Sequence, residues 1–131
     1  MFLIVGCSEN EPPIEGRWYT QSQLSYGATA FKKHCASCHG EEAQGLTVDW
    51  KRPLSDGSYP PPPLNGTAHA WHHQLSVLMR TIQNGGKSLG GKMPPFNDKL
   101  NNDEIKSVIA FFQNKWDDNI YNIWIERGGL K

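Results

Sequence analysis

Cys35, Cys38 and His39 lie in the segment Cys-Ala-Ser-Cys-His, and these residue types at this spacing can hold a metalloporphyrin. Two thiols about one helical turn apart can add to the two vinyl groups on one edge of a porphyrin. The histidine after the second thiol then lies under the iron, where its imidazole can act as an axial ligand. The segment therefore predicts one covalently attached haem.

Two other kinds of site use the same cysteine spacing. A redox-active dithiol of the thioredoxin type requires a strand before the motif and a βαβ setting, and the residues before Cys35 show no alternating pattern. A structural zinc site needs four ligands and usually a second close cysteine pair, whereas the third cysteine, Cys7, has no such neighbour. Haem is favoured, and a non-haem dithiol or metal-binding module is the alternative.

The first helical segment must position this motif. Thr20 and Gln23 have the spacing of a capping box, which predicts that a helix begins there. An apolar stripe at helical intervals follows, consisting of Leu24, Ala28, Phe31, Cys35 and Cys38. The pattern predicts one continuous helix in which both cysteines face the core.

Two more segments have helical periodicity. The second has Thr67 as N-cap and ends at the Gly85-Gly86 pair, which suits a left-handed cap. Its apolar stripe consists of Trp71, Leu75, Leu78 and Ile82. The third begins at Asn101 with Glu104 three residues on, again a capping-box spacing. Its stripe consists of Ile105, Ile109, Phe112 and Trp116, with Val108 beside it.

The connections between these helices are long and irregular. Residues 41–66 contain five prolines, and residues 85–99 are rich in glycine and proline, so neither segment can be regular helix. Segments of this length without periodicity often wrap around something that they help to bury. We predict an all-α fold of three main helices and long loops wrapped around one haem, with the domain at residues 20–116.

Composition limits the classes of function. A length of 131 residues favours a single domain. The chain has 13 Lys and Arg against 13 Asp and Glu, so it lacks the basic surface of a nucleic-acid binder. Only 37% of the residues are apolar, and a thin core of this kind needs a stabilising group. No apolar run approaches the ~20 residues of a membrane-spanning helix.

With these residues identified, the chain resembles the class I c-type cytochromes over residues 22–116. In that family the first helix crosses the last at a small residue and an aromatic one, and Gly27 and Phe31 are similar to these positions. Phe112 and Trp116 are similar to the aromatic positions of the last helix. The resemblance implies the cytochrome c fold with haem c as cofactor.

The resemblance also implies the surroundings of the iron. Pro62 begins a segment similar to the family's Pro-x-Leu-x-Gly, in which the proline carbonyl accepts a hydrogen bond from the ligand histidine, here His39. Met93 begins Met-Pro-Pro-Phe, similar to the family's Met-Pro-x-Phe, so its thioether is the expected sixth ligand. A His/Met pair raises the reduction potential, which suits an electron carrier. A purely structural Met93, or Met79 as the ligand, is the alternative.

Several glycines leave the loop that carries Met93 open to movement.

Two other segments are longer than a minimal domain of this family needs. Residues 44–61 include Trp50 and Arg52, whose side chains can donate to haem propionates, although a solvated loop explains them equally well. Residues 117–131 form an apolar extension that packs either on the domain or on a partner.

The N-terminal segment, residues 1–19, resembles a shortened bacterial lipoprotein signal followed by a spacer. Ile-Val-Gly-Cys at positions 4–7 is similar to a lipobox, so we expect Cys7 to be acylated and to tether the protein to a membrane. A frayed tail with a free cysteine is the alternative, because the apolar run is short and lacks a basic residue before it.

Three histidines follow the proline-rich segment. His69 and His73 are four residues apart, so on the predicted second helix they would face outward one turn apart. Two imidazoles in this position can chelate Cu(II), Ni(II) or Zn(II). A solvated helix face is the favoured interpretation, since two ligands without a third make a weak site.

The resemblance implies a periplasmic carrier of single electrons between redox proteins, with iron ligated by His39 and Met93. Such a protein makes and breaks no substrate bonds, and so is not itself an enzyme. Two other functions fit the same motif. One is a haem protein with an open sixth position, acting as a ligand sensor or a peroxidase-like protein. The other is a cytochrome subunit of a larger oxidoreductase complex.

Overall fold

Five α-helices and two short 3-10 helices form the fold in the computed structural model, which describes residues 10–131. The α-helices span Gln21–His34 (α1), Ala36–His39 (α2), Leu75–Asn84 (α3), Asn102–Gln113 (α4) and Asp118–Glu126 (α5). The 3-10 helices span Ala70–His72 and Lys87–Leu89. These residues contain no strand beyond an isolated bridge between Pro13 and Thr20, so the all-α prediction is confirmed. The predicted lipidation site, Cys7, lies outside the described residues.

Capping boxes start α1 and α4, as predicted. Thr20 Oγ1 accepts a hydrogen bond from the Gln23 backbone N–H at 3.1 Å, and Gln23 Oε1 accepts one from the Thr20 N–H at 2.9 Å. Asn101 and Glu104 exchange the same pair of bonds at 2.9 and 3.1 Å. Each box satisfies backbone donors that the first turn of a helix leaves free.

The crossing of α1 and α4 organises the core. At Gly27 an added Cβ would lie 1.8 Å from the Ser107 carbonyl oxygen, so the two backbones touch where the side chain is missing. Phe31 is fully buried beside this contact, with its ring centroid 4.7 Å from that of Phe111. The predicted stripe of the last helix is also buried, at Ile105, Val108, Ile109, Phe112 and Trp116.

The prediction of one continuous first helix was wrong at its end. α1 stops at His34, and Cys35 adopts φ −121° and ψ −33° before the short α2 begins. This break rotates the residues that follow relative to the stripe of α1. Cys35 is therefore buried, as predicted, whereas Cys38 is exposed to solvent.

The prediction that Thr67 caps the second main helix was also wrong. Asn65 Oδ1 accepts hydrogen bonds from the Thr67 backbone N–H at 3.2 Å and from its hydroxyl at 2.6 Å. Thr67 is thus engaged in a turn closed by the preceding asparagine. α3 begins only at Leu75, and it ends as predicted at Gly85, which has φ 80°.

The C-terminal extension packs on the domain. Tyr121 and Trp124 of α5 are 2% and 1% exposed. The Trp124 indole donates to the His73 carbonyl oxygen at 2.7 Å, and the Trp18 backbone N–H donates to the Tyr121 hydroxyl oxygen at 3.0 Å. The Arg17 guanidinium lies 4.0 Å from the centroid of the Tyr121 ring. Residues near both ends of the described chain therefore close the same part of the core.

Tyr19 is fully buried where the N-terminal segment meets α4. Its hydroxyl donates to Asn114 Oδ1 at 3.0 Å. Burial raises the pKa of Tyr19 to about 12, and the positive charge of Arg17 opposes this rise only in part. Tyr19 is therefore neutral in the folded protein well above the pH at which an exposed tyrosine ionises.

Within residues 10–131, no helix combines the length and the apolar character needed to cross a bilayer.

Candidate functional site

His39 ends α2 with its side chain turned into the protein, where the residue is 7% exposed. Its Nδ1 lies 3.0 Å from the carbonyl oxygen of Pro62. Because a carbonyl oxygen can only accept, Nδ1 carries the proton of this hydrogen bond. The other ring nitrogen, Nε2, keeps its lone pair and is available as a metal ligand.

The ionisation of His39 is consistent with that role. Burial lowers the pKa of His39 below its ordinary value, and the hydrogen bond to Pro62 offsets this change only in part. Burial favours the neutral imidazole because a charged ring would lose its hydration. The neutral ring is the form that binds a metal.

The loop after α2 folds back to bring the proline carbonyl to the histidine. The Gly45 N–H donates to the His39 carbonyl oxygen at 2.6 Å, and the Leu64 N–H donates to the Ala43 carbonyl oxygen at 2.8 Å. The indole of Trp116, just beyond α4, donates to the Leu64 carbonyl oxygen at 2.9 Å. Backbone bonds and one buried indole thus fix this loop, although it has no regular structure.

Cys35 and Cys38 flank one short turn and are both free thiols. The His39 N–H donates to the Cys35 carbonyl oxygen at 2.9 Å, which keeps the motif helical. Burial raises the pKa of the Cys35 thiol to about 11, with a smaller contribution from Cys38. Cys35 is therefore protonated near neutral pH, while Cys38 faces solvent.

Met93 lies in the loop between α3 and α4, half-buried and packed against the core. The Gly86 N–H donates to its carbonyl oxygen at 2.9 Å. An added Cβ at Gly85 would lie 2.6 Å from the same oxygen, so the glycine pair lets the two segments touch. Met79 on α3 is also half-buried against the core.

The two predicted propionate donors lie in different environments. Trp50 is half-buried, and its ring meets His69 edge-on with the centroids 5.0 Å apart. Arg52 is exposed, and its backbone N–H donates to the Asp49 carbonyl oxygen at 3.2 Å. Trp50 thus packs against His69. Arg52 lies outside any helix, and its side chain is exposed to solvent.

His69 and His73 are both exposed, as predicted, but the α-helix that would place them one turn apart does not form. Residues 69–73 contain a 3-10 helix instead of an α-helix, and His69 lies beside His72, with the ring centroids 5.5 Å apart. His72 in turn stacks on Trp71 at 4.1 Å. In the part of the chain that the structure describes, no three His, Cys, Asp or Glu side chains converge as a metal site would require.

A contact that the sequence did not suggest joins residues 44–61 to the Met93 loop. The Tyr59 N–H donates to the Gly90 carbonyl oxygen at 3.2 Å, and the Asp56 carboxylate pairs with the Lys92 ammonium. Both partners lie in irregular segments, so no periodic pattern could have revealed the pairing. Opposite charges on the two loops were the only signal.

Comparison with known proteins identifies the family to which most of the chain is similar. Residues 22–112 match the family described as cytochrome c oxidase, cbb3-type, subunit III. The chain is 31% identical over 97 residues to the cbb3-type cytochrome c oxidase subunit FixP of Sinorhizobium medicae, covering 70% of this chain and 29% of that protein. It is 34% identical over 89 residues to subunit CcoP of Azospirillum brasilense, covering 67% of this chain and 27% of that protein.

The chain spans less than a third of the length of these relatives. No solved structure matches it. Since the family match covers most of the chain and includes the Cys-x-x-Cys-His segment, this protein belongs to the cbb3-type cytochrome c oxidase subunit III family, and its domain is a class I c-type cytochrome.

Proposed function

We propose that residues 20–116 form a single-haem electron-transfer domain in which Cys35 and Cys38 hold haem c through thioethers. His39 and Met93 are the proposed axial ligands of the iron. The observation that carries this proposal is the 3.0 Å contact between His39 Nδ1 and the Pro62 carbonyl oxygen. It orients a buried imidazole and leaves Nε2 as a neutral donor, as ligation requires.

The other residues present are suited to the same cofactor. Two free thiols precede the histidine, and a thioether lies in the loop before α4. When bound, haem supplies a one-electron iron couple, and a neutral sulfur ligand favours its reduced state. The chain itself fixes the histidine tautomer through Pro62. Trp50 and Arg52 are the proposed donors to the propionates.

The partners of this domain are proposed from its relatives. The matched proteins are named as subunits of a cbb3-type cytochrome c oxidase. We propose that this chain carries single electrons to or from redox proteins of such a complex. It neither makes nor breaks the bonds of a substrate itself. With no net charge, its docking should be brief and only mildly sensitive to salt.

The proposed location follows from the proposed cofactor. Covalent haem attachment implies export, so we place the domain in the bacterial periplasm. The signal and spacer are proposed within residues 1–19, of which Arg17, Trp18 and Tyr19 already pack on the domain. Acylation of Cys7 would tether the protein. Residues 117–131 are the proposed C-terminal extension, whose α5 packs on the domain.

Visible spectra and intact mass test the proposal. In a host that matures c-type cytochromes, the purified protein should gain the mass of one haem. Met93→Ala should lose the weak red sulfur-to-iron band, bind carbon monoxide and show a lower midpoint potential. Met79→Leu is the matched control and should keep all three properties of the wild type.

Three results would contradict parts of this proposal. An apoprotein mass after correct maturation would exclude covalent haem. A Met93→Ala spectrum identical to that of the wild type would remove Met93 from the iron. Carbon monoxide binding by the wild type at neutral pH would favour the alternative function, a haem protein with an open sixth position.

A further inference from the structure

The loop that carries Met93, residues 85–99, is bonded to α3 at its C-terminal side, where the Phe96 N–H donates to the Ile82 carbonyl oxygen at 3.0 Å. Within the loop, the Gly86 N–H donates to the Met93 carbonyl oxygen at 2.9 Å. The residues between these two contain glycines and a single turn of 3-10 helix. Such a segment opens easily unless a second contact holds its outer side.

Residues 54–59, which we term the strap, supply that second contact. The strap is a tight turn in which the Leu54 N–H donates to the Ser58 carbonyl oxygen at 2.7 Å, with Gly57 at φ 84°. Asp56 Oδ1 accepts from the Ser58 N–H at 3.0 Å and from its hydroxyl at 2.6 Å. The Asp56 carboxylate is therefore held in one orientation before it meets the Met93 loop.

Two bonds join the strap to the loop. The Tyr59 N–H donates to the Gly90 carbonyl oxygen at 3.2 Å, and Asp56 pairs with Lys92, the residue immediately before Met93. Gly90 also brings the backbone close to the Tyr59 ring, since an added Cβ there would lie 3.8 Å from Cδ2. An opening motion that withdraws Met93 moves Lys92 as well, so it must break the ion pair.

We propose that the strap is a positioning element that restrains the Met93 loop, with Asp56 and Lys92 as the positioning residues. This inference rests on the proposed role of Met93 as an iron ligand. The Lys92 and Asp56 side chains are 65% and 44% exposed, so the pair is weak and adjusts the opening rate without locking the loop. The strap thus sets how often a competing ligand can reach the iron.

The rate of imidazole binding to the oxidised holoprotein measures this opening, because Met93 must leave before imidazole can bind. Asp56→Lys and Lys92→Asp should each accelerate binding by about two- to fivefold, the range for an exposed ion pair. The double variant with both changes restores opposite charges and should return towards the wild-type rate. Asp49→Lys is the matched control, because it makes the same charge change at an exposed position of the same segment.

The salt dependence of the imidazole binding rate distinguishes loss of the ion pair from general destabilisation of the fold. Added sodium chloride screens the attraction in the wild type and the repulsion in Asp56→Lys. The imidazole rate should therefore rise with salt in the wild type and fall with salt in Asp56→Lys. Equal rates in the wild type, Asp56→Lys and Asp49→Lys would refute the strap, as would a double variant as fast as the single ones.

The visible spectrum of Met93→Ala distinguishes a failure of the strap proposal from a failure of the ligand assignment. If Met93→Ala keeps the sulfur-to-iron band of the wild type, the proposed ligand is wrong and the strap inference fails with it. If that band depends on Met93 but the strap variants bind imidazole at the wild-type rate, only the strap is wrong.

Discussion

Gly27→Ala sets two physical effects of opposite sign against each other. Alanine has a higher helix propensity than glycine, so on propensity alone the variant should be more stable by about 1 kcal/mol. The structure indicates the opposite, since the new methyl carbon would lie 1.8 Å from the Ser107 carbonyl oxygen. Atoms in contact normally lie ~3.5 Å apart, so α1 and α4 would have to separate.

The cost of that separation can be worked from the contact. Overpacking by one methyl group typically costs 1–3 kcal/mol, and a rigid backbone partner puts this site at the upper end, about 3 kcal/mol. After the gain in propensity, we expect a net loss of about 2 kcal/mol in the free energy of unfolding. Guanidinium chloride unfolding of the holoprotein, followed by far-ultraviolet circular dichroism, measures this difference.

Gly91→Ala is the matched control, because its added Cβ would approach no atom closer than 3.5 Å. We expect it to unfold within about 0.5 kcal/mol of the wild type. A Gly27→Ala variant as stable as the wild type, or more stable, would refute the close approach of α1 and α4.

Two other substitutions test the packing around the chain ends. Trp124→Ala should lower the free energy of unfolding, measured in urea, by about 3–5 kcal/mol through the cavity it leaves. Trp124→Phe should lose mainly the indole bond to His73, about 1 kcal/mol. A Trp124→Ala variant as stable as the wild type would show that α5 contributes nothing to stability. Tyr19 has a folded pKa of about 12 against an ordinary value of 10.0, so its contribution to stability should be complete below pH 10 and decrease by up to roughly 2 kcal/mol as the pH rises to 12. Tyr19→Phe should be about 1 kcal/mol less stable than the wild type at pH 8 and about 1 kcal/mol more stable than it at pH 12, because only the wild type loses roughly 2 kcal/mol over that range. A constant difference between the two proteins would contradict the buried neutral phenol.

The helices that could be predicted are those whose signals are local. Thr20 with Gln23, and Asn101 with Glu104, placed the starts of α1 and α4 correctly, because a capping box needs only residues three apart. The stripe from Ile105 to Phe112 was correct for the same reason, since one uninterrupted helix keeps its periodicity, whereas Trp116 is buried beyond the end of α4. Gly85 ended α3 as predicted, since glycine adopts a positive φ without strain.

The errors arose where a neighbour changed the role of a residue. Thr67 was a good cap by type, but Asn65 engages both its N–H and its hydroxyl, so the chain reaches α3 later. The stripe through Cys38 assumed an unbroken helix, whereas the chain turns at Cys35. Both changes depend on backbone conformations that residue type and spacing do not specify.

Contacts between distant irregular segments could not be predicted at all. The strap touches the Met93 loop through one backbone bond and one ion pair. Neither interaction leaves a periodic trace in the sequence. Whether the C-terminal extension meets the domain or a partner was similarly open, because its apolar residues suit both, and only the structure places Trp124 against His73.

The pairing of Arg17 and Trp18 with α5 has a consequence for the order of folding during synthesis. Their partners Asp118 and Tyr121 lie 101 and 103 positions later in the chain. While a ribosome is still making α4, the Arg17 side chain and the Trp18 backbone N–H have no α5 to bond and remain in water. Contacts this distant in sequence close slowly, so we expect the aromatic junction between the two ends to be the last part of the domain to assemble.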